Sequence, residues 1–112
     1  MSYWTFVDFD YIASQDIEDP EFDIERTRAE IELIVNAHRY HRDVAADMCK
    51  LIIEKHAGFK LISFAVMELF TALAARFPDI SFAIRGRGED IRDIWIREFA
   101  DGRNTFAFGP PG

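Results

Sequence analysis

The stretch Ile80–Phe108, ISFAIRGRGEDIRDIWIREFADGRNTFAF, decides the fold class. Ile80, Phe82 and Ile84 alternate with Ser81, Ala83 and Arg85. A period of two marks a strand with one buried face. Gly86-Arg87-Gly88-Glu89-Asp90 then supplies turn residues. A second alternation sets Arg92, Ile94, Ile96 and Glu98 against Asp93, Trp95, Arg97 and Phe99. Asp101-Gly102-Arg103-Asn104 makes a tight turn, and Thr105–Phe108 reads as a last strand before Gly109-Pro110-Pro111-Gly112. Three strands in a row with short turns between them form an antiparallel meander.

Upstream of the meander the period changes. From Lys60 to Phe77 the chain carries Leu61, Ile62, Phe64, Ala65, Val66, Leu69, Phe70, Leu73 and Phe77. This predicts a central helix, apolar on almost every side and stopped by Pro78-Asp79. Lys60, Glu68 and Arg76 keep its apolar runs too short for a membrane span. A shorter helix is predicted from Asp43 as N-cap, with Val44, Met48, Leu51 and Ile52 at helical spacing and His56 with Gly58 marking its end. A first helix starts near Phe22–Ile24 with Asp23 as N-cap and a stripe of Ile24, Ile31, Ile34, Val35 and His38. Tyr3–Phe9 reads as a strand, too apolar to stand alone and expected to join the meander.

The expected architecture is thus one α+β domain spanning residues 1–112, in the order β-α-α-α-β-β-β. Three helices cover one face of a four-stranded, mainly antiparallel sheet. The other face is expected to carry Trp4 or Tyr3, Trp95 and arginines, and to be open to a partner or a second copy. At 112 residues the chain is large enough for one core and too small for two. A single cysteine, Cys49, rules out an internal disulfide framework and a Cys-based zinc site. Met1–Phe9 lacks a basic start followed by an apolar run, so a cytoplasmic protein is expected.

The net charge of −7 is unevenly placed. Residues 1–25 hold 8 acids and no Lys or Arg; residues 26–112 hold 12 acids and 13 bases. The first segment is therefore −8 and the remainder +1. Such a front attracts a basic partner and steers encounter with it. It disfavours direct binding of DNA or RNA, which needs clustered Lys and Arg. Arg85, Arg87, Arg92, Arg97 and Arg103 lie among Glu89, Asp90, Asp93 and Glu98, which reads as ion pairing across strands.

The run Phe77-Pro78-Asp79-Ile80-Ser81-Phe82, the Gly-rich acidic turn, Trp95, Phe99 and Asp101-Gly102-Arg103 resemble the C-terminal half of small ferredoxin-like domains of bacterial plasmids and phages. The resemblance covers residues 77–104. It implies a helix feeding a meander and carries over no catalytic residue. It departs from that pattern in one respect, since no hairpin is legible between the first helix and Phe59.

Three chemistries are open at this level. Asp8 and Asp10 follow an apolar strand as the paired acids of magnesium phosphohydrolases do, and His38 and His41 stand three apart. Together they define a metal-dependent hydrolase as one alternative. A structural homodimer joined through the sheet face is another. The leading expectation is a protein-binding module without cofactor: an inhibitor of a basic or nucleic-acid-binding enzyme, such as a toxin immunity protein or a phage anti-defence protein. Its contact acids are Asp16, Glu18, Asp19, Glu21 and Asp23, with Trp4 and Trp95 as aromatic anchors.

Overall fold

The computed structural model describes residues 3–13 and 19–110. Strand β1 (Thr5–Tyr11) turns Thr5, Val7 and Phe9 inward and Phe6, Asp8 and Asp10 outward. The chain returns to the core at Phe22, whose N–H donates to the Tyr11 hydroxyl at 3.1 Å. Asp23 caps α1 (Ile24–Ala37) by accepting from the Glu25 N–H. Thr27, Ile31, Ile34 and Val35 form the buried stripe of α1.

Helix α2 (Asp43–Glu54) starts one residue earlier than its sequence suggests. Arg42 holds the cap position, and Asp43 is the first helical residue, its N–H donating to His41 Nδ1 at 3.2 Å. The helix ends at Lys55, which adopts a left-handed conformation with φ 72°. Its ammonium donates to the Ile52 carbonyl and lies 4.7 Å from the Tyr11 ring centroid, which anchors the strained residue. The next four residues form strand β2 (His56–Phe59). This strand corrects the expected order. Among the described residues the chain runs β-α-α-β-α-β-β-β, with five strands rather than four.

Helix α3 (Ser63–Arg76) follows and gives way to Phe77-Pro78. Its buried side holds Ala65, Val66, Met67, Leu69, Phe70, Leu73 and Ala74, while Phe64, Glu68 and Thr71 face outward. The meander is β3 (Phe82–Arg87), β4 (Ile94–Ala100) and β5 (Arg103–Phe108), with a bulge between Glu98 and Phe99. The sheet order is β2-β1-β3-β4-β5, and each neighbouring pair is antiparallel. The first strand joins the meander as expected, by pairing with β3. Among the described residues no helix is long and apolar enough to cross a membrane.

The three helices pack on one side of the sheet, and the core lies between the two layers. Phe82 sits at its centre, fully buried, with ring centroids of Phe99, Phe9, Phe22 and Phe70 at 4.9, 5.4, 5.4 and 6.3 Å. Removing such a ring costs about 3–5 kcal/mol. Trp95 belongs to this core as well. It is fully buried on the helix side, opposite Gly86. The expectation that it lies on the open face is therefore corrected. The alternation was right and the side was inverted, because Arg97 shares the inward face. That guanidinium is satisfied by the carbonyls of Ile96, Phe108 and Gly109 at 2.8, 2.8 and 3.0 Å, so an inward arginine is tolerated.

Candidate functional site: the uncovered face of the sheet

Cross-strand partners point to the same face, so the register gives the open face row by row. One row is Gly58, Phe6, Arg87 and Ile94. The next is His56, Asp8, Arg85, Ile96 and Phe108, and a third is Asp10, Ala83, Glu98 and Phe106. Trp4, two residues before Phe6, stacks on its ring at 6.3 Å and 15°. Trp4, Phe6, Ile94, Phe106 and Phe108 are 41, 47, 51, 48 and 57% exposed. Scattered exposed apolar residues are ordinary, but five aligned on one side of a sheet form a patch.

Charges cross the middle of this face. Arg85 donates to Asp8 at 3.1 Å, and the Arg87 guanidinium lies 5.8 Å from the Phe6 ring centroid. Both members of the Asp8–Arg85 pair are more than half exposed, so the pair contributes little stability, at most ~1 kcal/mol. Arg85 thus pairs with an acid of β1, not with one of the meander acids expected to face it. Arg92 instead pairs with Asp90 within the β3–β4 turn.

The acids expected to form a contact surface are only partly in view. Asp19, Glu21 and Asp23 are exposed on the approach to α1, beyond the end of β1. Asp16 and Glu18 lie outside the described residues. Trp4 precedes the same strand at its opposite end. A seven-residue strand spans about 23 Å, so the acidic segment and the Trp4–Phe6 pair flank the face from two ends. The acids are joined at their end by Asp79 and Asp101, since Gly102 packs against Pro78.

The four residues of the hydrolase alternative do not converge. Asp8 and Asp10 belong to the sheet, and Asp8 is paired with Arg85. His38 and His41 follow α1; His38 Nδ1 meets the Ile34 carbonyl at 2.9 Å, and His41 Nδ1 accepts from the Asp43 N–H at 3.2 Å. Among the described residues, no group of three or more His, Cys, Asp or Glu side chains is placed to hold a metal ion.

Sequence reading missed a polar cluster at the apolar end of the sheet. Asp93 Oδ2 accepts from the Tyr3 and Ser63 hydroxyls, each at 2.7 Å. Tyr3 also accepts from the Asp90 N–H at 3.3 Å. The bond to Asp93 holds the Tyr3 phenol above its ordinary pKa. Gly88 makes this clasp possible, since a Cβ there would lie 2.0 Å from the Tyr3 hydroxyl. Asp93 thereby ties Ser63, at the start of α3, and Tyr3 to the β3–β4 turn. The one signal in the sequence was glycine at 88. Cys49 is buried on α2, and burial pushes its thiol pKa up, as expected of a core residue.

The fold and surface carry the functional reading, because the chain matches no family model, no curated protein and no solved structure.

Proposed function

We propose that this chain is a small acidic protein-binding module that works by applying its uncovered sheet face to another polypeptide. The observation that supports it is the set of Trp4 and Phe6 on one side and Ile94, Phe106 and Phe108 on the other, each 41–57% exposed on a face that no helix of the described residues covers. Aromatic anchors around a charged centre suit a protein partner. The exposed acids Asp19, Glu21 and Asp23 flank one end of this face and favour a basic partner. An inhibitor of a basic or nucleic-acid-binding enzyme, of the toxin-immunity or phage anti-defence kind, has these requirements.

The test is capture of a partner from the source organism's lysate by three tagged forms. These are the wild type, Phe6→Ser with Phe106→Ser, and Asp19→Asn with Glu21→Gln and Asp23→Asn. The wild type is expected to retain a basic protein, and the face variant to lose at least about tenfold of it, as for loss of ~1.4 kcal/mol of contact. The acid variant should bind more weakly with a smaller salt dependence. The purified partner's activity should then fall on titration with the wild type. Equal retention by a correctly folded face variant would remove the basis for this reading.

A further inference from the structure

The Trp4 end of the open face carries more than apolar surface. The Trp4 and Phe6 rings are nearly parallel, 15° apart, with centroids separated by 6.3 Å. Both rest over Gly58 of β2, where a Cβ would lie 3.3 Å from Phe6 and 3.5 Å from Trp4. The Phe6 ring has a cation of the chain's own, the Arg87 guanidinium at 5.8 Å from its centroid. The Trp4 ring has none among the described residues.

A carboxylate is fixed beside that vacant ring. Glu89 Oε2 accepts from the Trp4 N–H at 3.1 Å. A carboxylate offers about four acceptor positions, and this bond uses one. None of the ion pairs among the described residues includes Glu89. The neighbouring acids are engaged: Asp90 pairs with Arg92, and Asp93 accepts from Tyr3 and Ser63. Set against Arg87 and Arg92, the three acids Glu89, Asp90 and Asp93 leave this end one negative charge in excess.

We propose that Trp4 and Glu89 form the seat for an arginine side chain of the basic partner. The inference rests on the partner reading and names the group that the partner presents. A guanidinium is planar and weakly hydrated, so it lies flat on an indole while its edge donates to a carboxylate. An ammonium is a compact, strongly hydrated point charge and does not satisfy both at once. Indole is also the best of the aromatic faces for a cation. The chain's charge of −7 brings a basic polypeptide to the face, and the seat selects arginine over lysine once it is there.

The probes are labelled acetyl-hexaarginine amide and acetyl-hexalysine amide, of equal charge, titrated with the full chain in about 0.15 M salt and followed by fluorescence anisotropy. Wild type should bind hexaarginine about fivefold more tightly than hexalysine. Trp4→Leu should erase that preference and Trp4→Phe keep most of it. Glu89→Gln should weaken hexaarginine about threefold. Asp19→Asn with Glu21→Gln and Asp23→Asn should weaken both peptides and leave their ratio unchanged. Trp95 is fully buried and Trp4 is 41% exposed, so acrylamide quenching of the wild type reports Trp4 and should fall as hexaarginine binds. Circular dichroism shows that each variant is folded. Equal affinity of wild type for the two peptides overturns the proposal, as does no binding up to about 1 mM or a preference that survives in Trp4→Leu. Capture of the partner by Trp4→Leu as by wild type, with its loss by Phe6→Ser with Phe106→Ser, overturns the arginine seat alone and leaves the face reading standing.

Discussion

Replacing Gly86 by alanine should destabilise the protein far more than one methyl group suggests. Gly86 lies in the central strand β3 directly opposite Trp95. A Cβ there would sit 2.1, 2.2 and 2.7 Å from Cζ2, Cε2 and Cη2 of the indole. Ordinary carbon contacts are ~3.5–4.0 Å, so the ring must retreat by about 1.5 Å. It has nowhere to go, because Trp95 is fully buried and Arg97 lies 6.0 Å from its ring centroid. Overpacking typically costs about 1–3 kcal/mol, and a rigid ring in a closed core puts the change near ~3 kcal/mol. For a domain of this size that lowers Tm by about 12 °C. Urea denaturation followed by far-ultraviolet circular dichroism measures it. Trp95→Phe frees space at the cost of about 2 kcal/mol of its own. The double variant should then be more stable than the sum of the singles by at least about 1 kcal/mol. A Gly86→Ala protein within about 0.5 kcal/mol of wild type would refute the account of how this face is packed.

Three further outcomes follow from particular residues. Thr27 is fully buried and its hydroxyl has no partner among the described residues, so Thr27→Val should be neutral or stabilise by about 1 kcal/mol in the same urea assay. Tyr3, through its bond to Asp93, and Tyr11, through burial, hold phenol protons more tightly folded than at the ordinary value of 10.0. The stability they bring is complete below that value and is lost as the pH climbs through their raised values; Tyr3→Phe should flatten the fall in urea midpoint there, and an unchanged slope would contradict it. The Cys49 thiol, buried and pushed up in pKa, should react with a disulfide reagent at least about a hundredfold more slowly in the native protein than in urea.

The meander was legible because its alternation is regular and its turns carry glycine. Strand β2 was not. Its sequence, His-Ala-Gly-Phe, is short, and its glycine reads as a helix end. The left-handed helix end falls on Lys55 instead, held by Ile52 and the Tyr11 ring. Gly58 has another purpose: a Cβ there would lie 3.3 Å from the Phe6 ring, so it lets the aromatic pair settle on the sheet. Trp95 was assigned to the wrong face because a charged neighbour two residues on usually marks the outside. Here the carbonyls of Ile96, Phe108 and Gly109 receive that charge, a tertiary contact that no local pattern announces. Trp4 and the acids at 19, 21 and 23 were legible as exposed, whereas their separation by the length of β1 needed the fold.

The central claim is that the uncovered sheet face meets a protein partner. Side-chain footprinting by hydroxyl radicals, with the captured partner bound and absent, tests it most directly. Protection concentrated on Trp4, Phe6, Phe106 and Phe108, with Leu33 and Ile53 on the helical side unchanged, is the predicted result. Unchanged labelling of those four aromatic residues in the complex would contradict it.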